Sequence, residues 1–498
     1  MSCRAAITAL LVAVPAAAHA PRLQAQTTAA DVTPVMNAWW TRASHRAPGT
    51  WGIVIADQTG KVLWQMNADT PMIPASTAKV LTTGFTRTEV GGDARRATRV
   101  IGSGHVDSAS GTWVGRWALE MNGDPTLERA DRAGPTLEQL AQQLAAIGIR
   151  RLVGPLDVTT SSATTVGAPR SIYPAVWSDR FRGRIYAPPI GPITLNENVV
   201  SVTVGPGAKL GARPVVIGDA PSGVGSLVEM AAKTVAGRGT GLHFSAGKDG
   251  HWVVSGKIGL HGRARRFEAV STDPTAVLEA VWQHATSAAG IQWTRASGIS
   301  APGMANKRVL AEVASATFDS IAHEVNTRSL NIGAEMMLLW GGSNTTPASQ
   351  LTDFVRKVTG LDGVHMVDGS GLSEEDRVAP IVFTTYLAKI PQTAAGRNFP
   401  MLFPANGFGT LRRLASGLPE AGVVRAKTGT LTNVSTLVGY LGRNDGTLII
   451  AAMYNGGAES AAKAAQWDLF RKLGAHGVVV PADLGDDGEL GGPNVSNK

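Results

Sequence analysis

Three short motifs follow one another along the chain, and the first and last lie near opposite ends: Ser76-Thr77-Ala78-Lys79, Ser329-Leu330-Asn331 and Lys427-Thr428-Gly429-Thr430. The flanks of the outer two mirror each other. Ahead of Ser76, Val32, Val35, Met36, Trp39 and Trp40 recur at helical spacing, which predicts a helix over residues 30–42. Residues 51–56 and 61–64 then read as strands joined by Asp57-Gln58-Thr59-Gly60. Around Lys427, residues 423–427, 436–441 and 447–453 read as three more strands, with Asn444-Asp445-Gly446 as a turn, and residues 458–473 as a closing helix. Matching elements at both ends imply one domain assembled from the two termini and interrupted in between.

The expected interruption covers residues 98–301 and is β-rich, with strands near 201–204, 214–217 and 252–255 and helices at 136–146 and 274–289. Glycines at 148 and 290 stop those helices. The split domain then comprises residues 26–97 and 302–480, and the acidic, glycine-containing stretch 481–498 reads as a solvated tail. A chain of 498 residues is too long for one ordinary domain, and 58 glycines and 27 prolines argue against a helical bundle.

Residues 1–25 read as a signal peptide: Arg4 precedes an apolar run over 5–14, too short to span a bilayer, and small residues follow. Export to the periplasm is the expectation, with no stable membrane anchor. Cys3, the only cysteine, lies ahead of that run, so the remaining chain has neither a disulfide nor a thiolate metal site. The net charge of +8 favours polyanions in general, but no basic cluster interleaved with aromatics points to nucleic acid.

The motifs gain force together. Ser-x-x-Lys occurs three times, also at Ser245/Lys248 and Ser460/Lys463, so alone it says little. At a helix start, however, Ser76 and Lys79 share one face, where a partly buried neutral amine can take the hydroxyl proton. The backbone N–H of Ser76 can face a developing oxyanion. Ser329 and Asn331 lie at the start of an apolar helix over 332–340, and alone they read more simply as an N-cap arrangement. Lys427 and Thr428 on a strand can hold a carboxylate, and Gly429 lets a peptide lie against the backbone; the alternative is an edge-strand lysine that blocks aggregation.

These motifs resemble those of the penicillin-binding D-alanyl-D-alanine carboxypeptidases/endopeptidases of the class C, low-molecular-mass type, peptidase family S13. The resemblance extends to Asp368-Gly369-Ser370-Gly371-Leu372-Ser373, Gly409-Thr410-Leu411, Gly123-Asp124-Pro125, and Trp177-Ser178-Asp179 with Ala187-Pro188-Pro189. It implies a mixed α/β (α+β) fold of the serine β-lactamase/DD-peptidase kind, a central antiparallel sheet flanked by helices and interrupted by the large insertion. It further implies Ser76 as nucleophile, Lys79 as base, Ser329 with Lys427 as proton relay to the leaving amine, and Asn331 orienting the acyl-chain amide. Lys427 and Thr428 would bind the terminal carboxylate, the N–H groups of Ser76 and Thr430 would form the oxyanion hole, and Asp179 would bind the stem amine. Peptidoglycan peptides are the implied substrates and β-lactams the implied covalent inhibitors, with no cofactor and no metal. The pattern departs at Glu374, where the family often carries an arginine, with Arg377 three positions on.

Two other readings compete: a catalytically weak peptidoglycan-binding scaffold, and a β-lactamase, for which the insertion has no use. His323-Glu324 lacks the second histidine of a zinc site, and Ser370 lacks the first glycine of a nucleophile elbow.

Overall fold

The computed structural model describes residues 28–161, 171–296, 306–342, 346–414, 418 and 422–474. The expected signal peptide, Cys3 and the tail from 481 lie outside the described residues.

The chain opens with helix α1 (Ala29–Arg46), strands β1 (Thr50–Asp57) and β2 (Val62–Met66), and helix α2 (Ala78–Val90). It closes with strands β3 (Val424–Leu431), β4 (Val434–Arg443) and β5 (Gly446–Asn455) and a last helix (Glu459–Leu473). These five strands form one antiparallel sheet in the order β3-β4-β5-β1-β2, so the two ends of the chain meet where β1 pairs with β5. The lysine strand is longer than the sequence suggested. It continues through Leu431, because residues 428–431 keep pairing with 434–437 of β4.

Period-two alternation divides the sheet between two cores. Leu448, Ile450 and Ala452 of β5 pack with Val32, Met36 and Trp39 of α1 and Leu469 and Phe470 of the last helix. Ile449, Ala451 and Met453 face the other way, toward Leu81 and Phe85 of α2 and Val382, Phe383 and Tyr386. Burial on both faces fits the apolar runs over 437–441 of β4 and 448–454 of β5. The same alternation sends Val424 and Ala426 of β3 into the first core and Lys427 to the α2 side.

Between β2 and β3 the chain builds three further sheets around a separate core that includes Trp117, Trp252, Trp282 and Trp293. Helices Leu137–Ala146 and Pro274–Ala288 cover it; they start on Thr136 and Asp273, whose side chains accept from the first-turn N–H groups. The six-stranded sheet extends past residue 301, since Arg308–Ala314 pairs with Ala97–Asp107. The chain then returns through helices α3 (Phe318–Arg328) and α4 (Asn331–Gly341). Arg129 and Arg132 of the intervening region pair with Glu324 of α3, and Glu197 pairs with Arg328 one residue before Ser329.

Candidate active site

Ser76 sits in a 3-10 turn (Ala75–Thr77) that runs into α2. Ala75 adopts a left-handed backbone, φ +48°, which costs an alanine energy and is sustained by packing on both sides. On one side the Pro74 carbonyl accepts from Thr436 Oγ1 at 2.7 Å. On the other, a Cβ on Gly371 would overlap the Ala75 carbonyl. Gly429 closes the turn against β3: a Cβ there would overlap Thr436 Oγ1 and stand 3.0 Å from Ser76 N. Glycine at 429 thus brings the strand backbone up to the nucleophile.

Lys79 is fully buried. Its Nζ lies 3.0 Å from Ser76 Oγ, 2.6 Å from Asn331 Oδ1 and 2.7 Å from the Ser370 carbonyl oxygen. The Asn331 amide is oriented by its other end, where Nδ2 donates to the Tyr186 carbonyl at 2.8 Å. Asn331 Oδ1 and Ser370 O can only accept, so they take two amine hydrogens. Once neutral, the amine has its lone pair left for Ser76, the one neighbour of the three that can also donate. Burial pushes the Lys79 pKa down to about 8 against the opposing charges of Asp368, Glu335 and Asp376.

On strand β3, Lys427, also fully buried, donates to Ser329 Oγ at 2.9 Å and to the Thr428 carbonyl at 2.8 Å. Burial, then Lys79 and Lys463, push its pKa well below the ordinary lysine value. Its burial is incompatible with an anti-aggregation role. Ser329 holds a left-handed conformation, φ +61°, at the junction of α3 and α4. The N-cap of α4 is Leu330, without a side-chain cap, so Ser329 and Asn331 are not a capping pair.

Ser76, Lys79, Ser329, Asn331 and Lys427 therefore converge. Thr428 is buried and Thr430 exposed farther along the same strand, with Gly429 between them. Asp179 stands apart: its side chain is 84% exposed and pairs with Arg182 at 2.6 Å. Glu374 pairs with Arg180. The other two Ser-x-x-Lys pairs lack any such setting. Ser460 hydrogen-bonds Glu459 on the last helix and Lys463 lies over Trp467, while Ser245 and Lys248 are exposed. The His323 ring meets the Met401 carbonyl, and no metal-holding group of His, Cys, Asp and Glu occurs among the described residues.

Comparison with known proteins gives this geometry a family. The D-Ala-D-Ala carboxypeptidase 3 (S13) family matches residues 45–473. The chain belongs to that family. It is 26% identical over 444 residues to a D-alanyl-D-alanine carboxypeptidase of Actinomadura sp., covering 83% of this chain and 79% of the relative. It is 26% identical over 428 residues to the carboxypeptidase DacB of Mycolicibacterium smegmatis, covering 82% and 76%. The crystal structure of penicillin-binding protein 4 (dacB) from Haemophilus influenzae superposes with TM-score 0.68 at 19% identity, over 87% of this chain and 98% of that one. The fold class expected from the motifs is the one observed.

Motif reasoning missed what lies behind Lys79 in this S13 member. Glu335 of α4 is buried and receives the Gly369 N–H at 3.1 Å on each oxygen, and burial raises its pKa, as it does that of Asp376. Its signal was a lone acid inside the apolar run 332–340. No helix among the described residues is long and apolar enough to cross a membrane.

Proposed function

We propose that this D-Ala-D-Ala carboxypeptidase family member is a serine carboxypeptidase/endopeptidase that cleaves peptidoglycan stem peptides through an acyl-enzyme on Ser76 and is acylated there by β-lactams. The observation that carries this reading is the Lys79 amine 3.0 Å from Ser76 Oγ with its two other neighbours able only to accept.

In the proposed reaction neutral Lys79 takes the Ser76 proton as Oγ attacks the carbonyl carbon of the penultimate D-Ala. The N–H groups of Ser76 and Thr430 receive the oxyanion. The peptide C–N bond breaks, and the Ser329 hydroxyl hands a proton to the departing amine and regains one through Lys427. Water then attacks the ester as it gives a proton to Lys427, the amine left neutral by the first half, and Lys79 returns its proton to Ser76 Oγ as the shortened peptide leaves. Lys427 and Thr428 hold the terminal carboxylate, Asn331 orients the acyl-chain amide, and Asp179 meets the amine of the stem. Residues 1–25 export the chain to the periplasm, residues 26–97 and 302–480 form the peptidase domain and 98–301 the insertion, with strand Arg308–Ala314 carrying the insertion's sheet past 301.

Mass spectrometry after exposure to a fluorescent penicillin tests the assignment. One adduct on the Ser76 peptide, absent in Ser76→Ala, is expected, and labelling that persists in that variant contradicts it. D-Ala release from a stem pentapeptide, and monomers appearing from crosslinked dimers, measure the carboxypeptidase and endopeptidase activities separately.

A further inference from the structure

Asp368 is fully engaged without touching the reacting groups. Its Oδ1 accepts the N–H groups of Ser370 and Gly371 at 3.0 and 2.6 Å, and its Oδ2 accepts the N–H of Ser373 at 2.7 Å and the Trp177 indole N–H at 3.0 Å. Three backbone donors on one carboxylate fix the 368–373 loop. That loop presents the Ser370 carbonyl to Lys79 and sets Gly371 beneath Ala75, next to the nucleophile.

Besides the backbone donors and the Ser370 hydroxyl at 3.5 Å, a donor comes from elsewhere in the chain, the Trp177 indole. Trp177 lies in segment 171–190, between the two outer pieces of the protein, and is buried with Phe181, Ala187, Ile332, Met336 and Leu372. A few residues on, the Tyr186 carbonyl fixes the Asn331 amide. Each of the two acceptors that orient the Lys79 amine, Ser370 O and Asn331 Oδ1, is thus braced by this segment, one through Asp368 and one directly.

We propose that Trp177 is a positioning residue for acyl transfer: its indole N–H holds Asp368, Asp368 holds the loop, and the loop aims the Lys79 amine at Ser76. This segment thereby completes the cradle of the general base, and its seating governs the acylation rate. This rests on the proposed acyl-enzyme reading and deepens it.

The test is stopped-flow acylation of the full-length protein by a chromogenic penicillin, resolving the acylation rate constant from the noncovalent dissociation constant across pH. Trp177→Phe keeps the ring packing and removes the N–H. We expect its acylation rate constant to fall by about tenfold, with noncovalent affinity within about twofold, since misaiming a reacting group acts on the chemical step. Asp368→Asn supplies the second arm. The charges facing Lys79 are Asp368 and Asp376 of the loop, Glu335 of α4 and Lys427 of β3. Losing the Asp368 charge moves the acid limb of the acylation profile to lower pH. In that background Trp177→Phe should cost nothing further.

Trp177→Phe acylating at the unaltered rate overturns the proposal. So does a loss confined to affinity, or the same loss in both backgrounds, which marks simple packing. If Asp368→Asn gives no cooperative melt, the split between rate and affinity in Trp177→Phe decides alone. Failure of the unsubstituted protein to acylate at all overturns the underlying reading instead, a result separable from any of these.

Discussion

The site has a helical wall, α2, and a strand wall, β3, and each buries a lysine, yet they surround it differently. On the helical wall Lys79 lies among Asp368, Glu335 and Asp376, which offset part of its burial and leave its pKa at about 8. On the strand wall the charges that shift Lys427 are both cations, Lys79 and Lys463, and they add to the burial. A buried ammonium without an acidic neighbour is costly, and an incoming carboxylate relieves that cost. The helical wall suits an amine that cycles its proton near neutrality. The strand wall suits one that waits for the negative end of a substrate.

Replacing each lysine by methionine should separate the two roles and gives the largest effects. Lys79→Met is expected to slow acylation by about 10²–10⁴-fold whatever the substrate, the range for removing a general base. Lys427→Met should lose far more with a peptide ending in a free carboxylate than with its methyl ester. Equal losses on acid and ester would erase the distinction between the walls. In the unsubstituted protein acylation should rise with pH through about 8 as Lys79 loses its proton.

The same depressed pKa makes stability depend on pH. Unfolding restores Lys79 to 10.5 from about 8, so between those values the unfolded chain binds more protons and stability rises with pH. Below pH 8 the full cost, about 3 kcal/mol, stays in place; above 10.5 it is gone. Denaturant titrations at pH 8 and pH 10.5 should show the gain, and Lys79→Met should lack this share of it. A Lys79→Met protein with an unchanged gain would show that the amine is not buried in solution.

Gly429→Ala comes next. Its Cβ would overlap Thr436 Oγ1 and crowd Pro74 O and Ser76 N, so β3 must retreat from the nucleophile. A displacement of this kind costs about 10²-fold in acylation. Because the strand is an edge strand of the sheet, the melting temperature should fall only modestly. Acylation at the ordinary rate would mean the strand backbone does not serve the oxyanion.

What was legible in the sequence follows the same division. Ser76, Lys79, Ser329, Asn331 and Lys427 could be read because their chemistry is local to short motifs. The sheet could be read because both its faces are buried and apolar runs mark β4 over 437–441 and β5 over 448–454. The brace behind Lys79 could not. Trp177 and Asp368 are 191 positions apart, and a tryptophan in a loop gives no sign of where its one donor points. The left-handed turn at Ser329 was also hidden, since nothing in Arg-Ser-Leu-Asn marks a break between two helices. The length of β3 was underread because Thr428, Gly429 and Thr430 carry no apolar pattern; their register with β4 holds them in the sheet.

The smallest effect concerns Asp179, and it separates a motif read by resemblance from one supported by geometry. Lys79 and Lys427 are fully buried; Asp179 is 84% exposed and already paired with Arg182. Solvent-exposed pairs are worth about 0.2–1 kcal/mol. A substrate ammonium must compete with Arg182 for the same carboxylate, so Asp179→Asn should raise KM for an amine-bearing stem peptide by less than about fivefold. The acylation rate constant and the melting temperature should not move. Raising the salt concentration should shrink even that difference, because charges this exposed are screened. A tenfold rise in KM that survives high salt would mean that the segment closes over the substrate and buries Asp179 when the stem binds, and the helical wall would then extend to residue 179.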